Sequence, residues 1–252
     1  MHIMKIDVSF FDAEPIRLVS RASQLAMLQA DLVCDALQPA ASEIRSIITR
    51  GDEILDRPLV EVGGKGLFVK ELERALLSGE ADAAVHSMKD MEVHFAQNTE
   101  IGAVLEREDR RDALVGPYRN LDDLPKGARI GTASVRRAAI LLNYRSDLEI
   151  HLIRGNLNRR LSLLANGDFD SIILAVAGIK RLGVEIDYTP IDVEVMPSAA
   201  AQGALAVQIV ASDSERAIAV KKIVEALTCS KALVEVTAER AFLAFLDGSC
   251  RT

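Results

Sequence analysis

Two adjacent residues of opposite charge, Lys89 and Asp90, follow an apolar segment at residues 83–85 that predicts a buried strand. Open α/β sheets bind their ligands just beyond the carboxyl ends of their strands. At such an end the lysine could hold an anion, and the aspartate could stabilise a developing cation or move a proton. The alternative is a surface ion pair between the two side chains. His86 continues the apolar strand pattern, so we expect a core histidine there.

The segment TASVRR, residues 132–137, carries the most informative local pattern. Ser134 is placed to cap a helix, and Arg136 and Arg137 then fall in the first turn of that helix. Two cations at a helix N-terminus oppose the helix dipole. An anion bound there would be favoured by the free backbone N–H groups and by both guanidinium groups. The pattern therefore indicates an anion site, and the alternative is a pair of solvent-facing arginines.

Basic residues recur at other strand-to-helix junctions. Arg21 with Ser23 occupies one junction, Arg154 occupies another with Arg160 in the helix that follows, and Lys65 lies in a glycine loop. That loop lacks the GxxxxGK[ST] pattern of a P-loop. Cations at so many junctions of a protein with net charge -7 favour a ligand with several carboxylates or phosphates. The planar guanidinium group of arginine suits carboxylates best.

The charge run EREDRRD, residues 106–112, predicts a solvated crossover near a domain boundary. The cysteines are widely spaced, which suits a reducing cytosol and gives no spacing typical of a metal site. Cys34 falls among helical apolar positions and Cys229 precedes a helix, so we expect neither to react. Cys250 lies in a Gly-Ser-Cys loop after a long helix, where it could carry a covalent group.

Strand and helix patterns alternate along the 252 residues, which predicts two doubly wound α/β units. The continuous apolar run at residues 171–177 predicts a strand covered on both faces. The strand predicted after the second unit could return to the first. The acidic charge argues against a general nucleic-acid or membrane-surface binder, and no apolar run approaches the ~20 residues of a membrane span. The N-terminus lacks a secretory-signal pattern.

Motifs that occur together in one family appear here in the family's order. They are LVSRASQLA, ITRGDEILD, VGGKGLFVKELE, AVHSMKD, EREDRRDA, GTASVRR, RGNLNRRL, ILAVAGIKRLG, QGAL, VTAERAF and DGSC. From Ile16 to the last residue, the sequence closely resembles the porphobilinogen deaminase, or hydroxymethylbilane synthase, family.

The resemblance implies an α/β fold of two doubly wound lobes, similar to type II periplasmic binding proteins, with a small α+β third domain. Domain 1 would comprise residues 1–107 and 204–224, and domain 2 would comprise residues 108–203. Residues 225–252 would begin the cofactor-bearing domain 3. The family continues well past the matching cysteine, whereas this sequence ends at Thr252, so we expect domain 3 to be truncated and largely missing.

The resemblance also implies a dipyrromethane cofactor joined by a thioether to Cys250. The residues expected to hold this cofactor are Ser87, Lys89, Asp90, Thr132, Ser134, Arg136 and Arg137. The carboxylates of incoming porphobilinogen would be held by Arg21, Ser23, Arg154 and Arg160, with Arg181 nearby. Asp90 would face the pyrrole N–H groups as the main catalytic residue, and Lys65 would lie on a mobile loop over the cleft.

The implied reaction joins four porphobilinogen molecules head-to-tail on the dipyrromethane, with loss of ammonia, and releases hydroxymethylbilane for tetrapyrrole biosynthesis. Loss of ammonia leaves an electron-poor azafulvene cation, which Asp90 could stabilise through the ring N–H. The resemblance implies a cytoplasmic monomer that acts on a small molecule, with neither nucleic acid nor a membrane as a partner. The alternatives are a two-lobed polycarboxylate receptor or sensor without turnover, and an inactive truncated fragment.

Overall fold

A computed structural model describes residue 8, residues 10–53 and residues 66–248. Within these residues, the strands form two five-stranded sheets. The first sheet consists of β1 (Ile16–Arg21), β2 (Ser42–Ile47), β3 (Ala83–Ser87), β4 (Thr99–Val104) and β10 (Leu205–Val210). Its strand order is β2-β1-β3-β10-β4, and β10 runs antiparallel to both of its neighbours. We call this sheet and its helices lobe 1.

The second sheet has the same pattern and forms lobe 2. Its strands are β5 (Asp112–Val115), β6 (Arg129–Gly131), β7 (Glu149–His151), β8 (Ser171–Ala175) and β9 (Tyr188–Pro190). Their order is β7-β6-β8-β5-β9. Strand β6 runs parallel to β7 and β8, whereas β5 runs antiparallel to β8 and β9.

Helices connect the strands. They are α1 (Phe10–Ala13), α2 (Gln24–Leu37), α3 (Arg50–Glu53), α4 (Lys70–Leu77), α5 (Val135–Tyr144), α6 (Leu157–Ala165), α7 (Val176–Leu182), α8 (Glu215–Glu225) and α9 (Ser230–Phe245), with 3-10 turns at Met88–Asp90 and Leu121–Asp123. Ser23, Ser134 and Asn156 begin α2, α5 and α6 because each side chain accepts a hydrogen bond from a first-turn backbone N–H. All three of these helices begin at strand-to-helix junctions picked out in the sequence.

Apolar side chains cover both faces of each sheet. In lobe 1, Leu18 and Val33 belong to the cluster on one face, and Leu72 of α4 belongs to the cluster on the other. In lobe 2, Leu141 of α5 and Ile172 of β8 belong to the two corresponding clusters. Burying one such side chain contributes about 1.5–3 kcal/mol to the free energy of folding. Each lobe has its own core, because its buried side chains form clusters of their own.

The described chain crosses between the lobes twice, at residues 105–111 and at residues 191–204. The second crossing leads into β10, which inserts between β3 and β4 and completes the sheet of lobe 1. The predicted return of a late strand to the first unit is confirmed. The predicted fold class, two doubly wound α/β lobes, is confirmed as well.

The apolar run at residues 171–177 is not one strand. Strand β8 ends at Ala175, and Val176 already begins α7, in which Val176, Ala177 and Ile179 are buried. The prediction of a single strand was wrong because a strand covered on both faces and the buried face of a helix require the same apolar residues.

Helix α9 follows α8 in the chain and packs against lobe 1 through Ala232 and Val236. Its last turns are open to solvent, with Phe242 66% and Phe245 86% exposed. None of the described helices has the length and apolar character that crossing a membrane requires.

Candidate functional site

A cavity of about 750 Å³ lies between the two lobes. Lobe 1 contributes the carboxyl ends of β1 and β3, and lobe 2 contributes the N-termini of α5 and α6. Most of the residues predicted from the sequence line this cavity, namely Arg21, Ser23, Ser87, Lys89, Asp90, Ser134, Arg136, Arg137, Arg154, Arg160 and Arg181. Thr132 lies behind the lining, while Lys65 and Cys250 fall outside the described residues.

Positive charge dominates this cavity. The cations that line it are Arg21, Lys89, Arg136, Arg137, Arg154, Arg159, Arg160 and Arg181, and the lining carboxylates are Asp52 and Asp90. The whole chain carries a net charge of -7, so the cleft concentrates cations that the surface does not. Cations gathered between low-dielectric walls focus their field on an anionic ligand.

Asp90 faces Arg21 across the floor of the cleft. Its Oδ2 atom lies 3.5 Å from Nη1 of Arg21, and about a third of its side chain is exposed, 33%. Arg21 also donates to Asp52 through Nε at 3.2 Å and through Nη2, and its guanidinium group lies over the Phe68 ring at 4.1 Å. Arg21 is therefore fixed by a carboxylate and an aromatic ring. Asp90 pairs with this arginine rather than forming a surface ion pair with Lys89.

Lys89 points toward the crossing segment. Its Nζ donates to Oε1 of Gln202 at 3.3 Å. Burial and the nearby Arg137 lower the pKa of Lys89 to about 8, against the opposing attraction of Asp90 and Asp112. A carboxylate bound beside Lys89 would stabilise its charged form.

Arg136 and Arg137 converge on one buried carboxylate, that of Asp112. Nη2 of Arg136 and Nη2 of Arg137 each lie 2.6 Å from an Asp112 oxygen. Arg137 also donates to the Ile173 carbonyl at 3.0 Å, and Arg136 donates to the Pro197 carbonyl. The two side chains are only 15% and 8% exposed, so the alternative of solvent-facing arginines is wrong.

Asp112 carries charge in the interior of the protein. Burial alone would raise the pKa of its carboxyl group, but Arg137 and Arg136 hold that pKa below its ordinary value. The charge run that contains this residue was predicted to be solvated. For Asp112 this prediction was wrong, because the residue is fully buried, with 0% exposure, as the first residue of β5.

The N-terminus of α5 has the predicted cap. Ser134 Oγ accepts from the backbone N–H of Arg137 at 3.3 Å. Thr132 is only 4% exposed, and its Oγ1 accepts from the backbone N–H of Ser134 at 3.1 Å. Thr132 therefore shapes the turn before the helix and does not line the cavity.

Other predicted residues are held by neighbouring groups. Nε of Arg160 donates to the Gly155 carbonyl at 3.0 Å, and burial together with Arg137 and Arg154 lowers the pKa of Arg160 to about 10. Arg181 donates to the carbonyl of Gly203, at the end of the second crossing, at 2.6 Å. These arginines are oriented before any ligand arrives.

Ser87 and Ser23 complete the predicted set. Ser87 donates from Oγ to Oε1 of Gln29 at 3.0 Å. Ser23 accepts from the backbone N–H of Ala26 at 3.3 Å, as the cap of α2.

Residues not selected from the sequence also line the cleft, among them Phe68, Asp52 and Gln202, and Asp112 supports its arginines from behind. All four lie in motifs that carry the resemblance: Asp52 in ITRGDEILD, Phe68 in VGGKGLFVKELE, Asp112 in EREDRRDA and Gln202 in QGAL. The burial of Asp112 had no local signal, because its neighbours in the sequence are charged.

The non-reactive predictions for two side chains agree with their surroundings. His86 is 5% exposed in β3, which confirms a core histidine, and burial lowers its pKa to about 4. Cys34 packs against the core of lobe 1, as expected.

The fold and the cleft define a class of protein, a two-lobed α/β protein with a cation-rich cleft suited to an organic polyanion. A family model described as porphobilinogen deaminase, dipyromethane cofactor binding domain, matches residues 16–218. A relative from Campylobacter fetus subsp. fetus (strain 82-40), named porphobilinogen deaminase, is 45% identical over 244 residues, which cover 94% of this chain and 77% of that protein. The chain belongs to the porphobilinogen deaminase family.

Enzymes of this family deaminate porphobilinogen and polymerise it for tetrapyrrole synthesis, using a dipyrromethane cofactor. The predicted function, enzyme class and cofactor are therefore confirmed.

Two solved structures show a partial likeness to the chain. The Bordetella pertussis BvgS periplasmic VFT2 domain is 15% identical, with a TM-score of 0.46 over 90% of this chain and 92% of that one. A putative methionine-binding lipoprotein from Bacillus subtilis is 14% identical, with a TM-score of 0.47 over 87% of this chain and 92% of that one.

Proposed function

We propose that Asp90 is the catalytic residue of this deaminase and that the surrounding cations hold the carboxylates of the cofactor and of porphobilinogen. The observation that carries this proposal is a partly exposed carboxylate in a cavity whose other charged lining residues, among those described, are cations and Asp52, which is bonded to Arg21. Carboxylated pyrroles bring negative charge that the cations neutralise. The cation that forms when porphobilinogen loses ammonia needs one negative group at the reacting ring, and Asp90 supplies it.

The residues present fit a dipyrromethane with acidic side chains. Ser87, Lys89, Ser134, Arg136 and Arg137 line the same cavity from both lobes. Nε of Arg136 is buried and has no hydrogen-bond partner among the described residues, as expected for a donor whose acceptor belongs to a ligand. When bound, the cofactor supplies the carbon on which the first porphobilinogen is added. Thr132 supports this group through the turn before α5.

The incoming porphobilinogen would be held by Arg21, Ser23, Arg154, Arg160 and Arg181. Arg21 and Ser23 lie on the lobe-1 side of the cleft, and the other three residues, all arginines, lie on the lobe-2 side. Substrate carboxylates would therefore bridge the lobes. Arg160 and Arg181 are already anchored to the carbonyls of Gly155 and Gly203. Anchoring lowers the ordering cost of binding.

Asp90 acts on the positive charge that develops in the substrate. Loss of ammonia leaves a cationic pyrrole whose ring N–H can donate to the Asp90 carboxylate. A preorganised carboxylate in a cleft screened from bulk water stabilises such charge more strongly than water does. Arg21, 3.5 Å away, pairs with the Asp90 carboxylate and orients it in the cleft.

The wider organisation of the protein is also a proposal. Residues 1–107 with 204–224 would form domain 1, residues 108–203 domain 2, and residues 225–252 the start of domain 3. The division of the strands between two sheets supports the first two boundaries. We infer a cytoplasmic monomer without nucleic-acid or membrane partners, which the free thiols of Cys34 and Cys229 and the net charge of -7 support.

The Asp90→Asn variant tests the catalytic assignment. It removes one charge at nearly constant shape, so kcat for porphobilinogen consumption should fall by about 10²–10³-fold while the thermal unfolding midpoint is kept. Asp35→Asn, which neutralises an exposed carboxylate on α2 in the same lobe, should leave kcat unchanged. A kcat for Asp90→Asn within a factor of about three of the parent enzyme would exclude Asp90 as the catalytic residue. No turnover by the parent chain itself would instead support an inactive fragment.

A further inference from the structure

Gln202 and Asp112 link three of the cations in the cleft from behind. Nε2 of Gln202 donates to Oδ1 of Asp112 at 2.9 Å and to the Arg110 carbonyl at 2.7 Å, while its Oε1 accepts from Lys89. Asp112 in turn accepts from Arg136 and Arg137. Lys89 of lobe 1 is thereby connected to two arginines of lobe 2 through one carboxylate and one amide.

Asp112 is placed where a ligand would not displace it. It does not line the cavity, whereas Arg136, Arg137, Lys89 and Gln202 all do. Its side chain is completely buried, with 0% exposure. Ligand carboxylates would approach the two guanidinium groups from the cavity, while Asp112 holds them from the interior.

The charged neighbours of Lys89 show why the Asp112 carboxylate is needed. Arg137 and Arg160 oppose the charge on Lys89, and Asp90 and Asp112 favour it. Asp90 is also shared with Arg21. The interior carboxylate is therefore a fixed counter-charge that allows several cations to be held together before a ligand arrives.

We propose that Asp112 is a positioning residue for the deaminase reaction, which orients Arg136 and Arg137 directly and keeps the Lys89 ammonium charged through Gln202. This inference rests on the proposed roles of these three cations in holding the pyrrole carboxylates. Asp112 itself touches neither cofactor nor substrate. Its effect is to present donors of fixed direction and charge to the ligand.

The titration of the Lys89 amine tests this proposal independently of turnover. A single amide bridges the Lys89 amine and Asp112, with distances of 3.3 Å from Nζ to Oε1 and 2.9 Å from Nε2 to Oδ1, so removing the Asp112 charge should lower the midpoint of the amine by about one pH unit. Only the uncharged amine reacts, so labelling of Lys89 by an amine-reactive reagent at pH 7 should become several-fold faster. Peptide mass spectrometry measures this rate at that lysine.

The experiment compares variants of the 252-residue chain in a Cys250→Ala background, so that no covalent group on Cys250 can shield Lys89. Asp112→Asn should show the faster labelling, and Asp112→Glu, which keeps the charge, should restore most of the parent rate. The matched control is Asp170→Asn, which removes a carboxylate paired with Arg129 elsewhere in lobe 2 and should leave Lys89 unchanged. Equal labelling in Asp112→Asn and the parent, or the same acceleration in Asp170→Asn, would overturn the proposal.

A second variant tests the proposal if circular dichroism shows that Asp112→Asn does not fold. Gln202→Met leaves the arginine bonds of Asp112 in place and removes the whole amide bridge, both the acceptor of the Lys89 amine and the donor to Asp112 and the Arg110 carbonyl, so labelling of Lys89 should again accelerate. An unchanged rate in Gln202→Met would show that the bridge has no influence on Lys89. Neither rate depends on whether Asp90 is catalytic, so failure here is distinct from failure of the proposed reaction roles.

Discussion

Asp82 lies where the two separate segments of lobe 1 meet, and neutralising it should weaken that junction. Its carboxylate accepts from Arg17 through Nη2 at 2.7 Å and through the backbone N–H at 2.8 Å, and from Nη2 of Arg216 at 2.7 Å. Arg17 belongs to β1, near the start of the chain, and Arg216 belongs to α8, after the chain has returned from lobe 2. Asp82 is 7% exposed, so water cannot easily replace these partners.

The size of the effect follows from the acidity of Asp82. Burial would raise its pKa, but the hydrogen bonds from Arg216 and Arg17 lower it from 3.8 to about 2. Each pKa unit corresponds to about 1.36 kcal/mol, so this difference corresponds to about 2.4 kcal/mol of folding free energy. Because the pKa is depressed in the folded state, this stabilisation is fully present above about pH 4. It is lost as the pH falls through about 2.

Denaturant and thermal unfolding of Asp82→Asn at pH 7 measure this contribution. We expect the free energy of unfolding to fall by about 2 kcal/mol, with a midpoint temperature about 4–8 °C lower for a chain of this length. The difference from the parent protein should shrink as the pH is lowered from 4 towards 2. Glu80→Gln is the control, because Glu80 pairs with Arg45 in solvent two residues away and should cause no measurable change.

Two results would refute this reasoning. One is an Asp82→Asn variant that is as stable at pH 7 as Glu80→Gln. The other is a difference between Asp82→Asn and the parent that stays constant down to pH 2, because the lost stability would then not arise from the charge of Asp82.

Two further predictions concern the crossing between the lobes and the cofactor. Gly203→Ala should lower the free energy of unfolding by about 2 kcal/mol or more, because an added Cβ at φ +92° would lie 2.3 Å from the Glu108 carbonyl oxygen. The control is Gly79→Ala, at φ +74° with nothing within 4 Å of the added Cβ, which should lower it by only about 1 kcal/mol. Equal losses in the two variants would contradict the steric explanation. Intact mass spectrometry should find a covalent adduct that Cys250→Ala abolishes and Cys34→Ala retains; an adduct that persists in Cys250→Ala would exclude this attachment site.

Local sequence patterns predicted much of the site because caps and strand ends depend on neighbouring residues. Ser23 and Ser134 begin helices as expected, since a short polar side chain satisfies a free backbone N–H nearby. Parallel strands place their carboxyl ends at one edge of a sheet, so the junction residues Arg21 and Lys89 reach the same cleft. Strand and helix patterns alternate along the sequence because helices must cover both faces of each sheet, and this alternation predicted the doubly wound fold.

The sequence by itself determined which charged and capping residues stand at strand-to-helix junctions, and, through its ordered motifs, the family. Only the tertiary structure decided how those charges are paired. The charge run ending at Asp112 predicts exposure, yet folding buries this carboxylate between Arg136 and Arg137 and connects it to Lys89 through Gln202. Such partners are distant along the chain, so Asp112 meets its arginines only when β5 and α5 pack together within lobe 2, and it reaches Lys89 only when the second crossing places Gln202 between them.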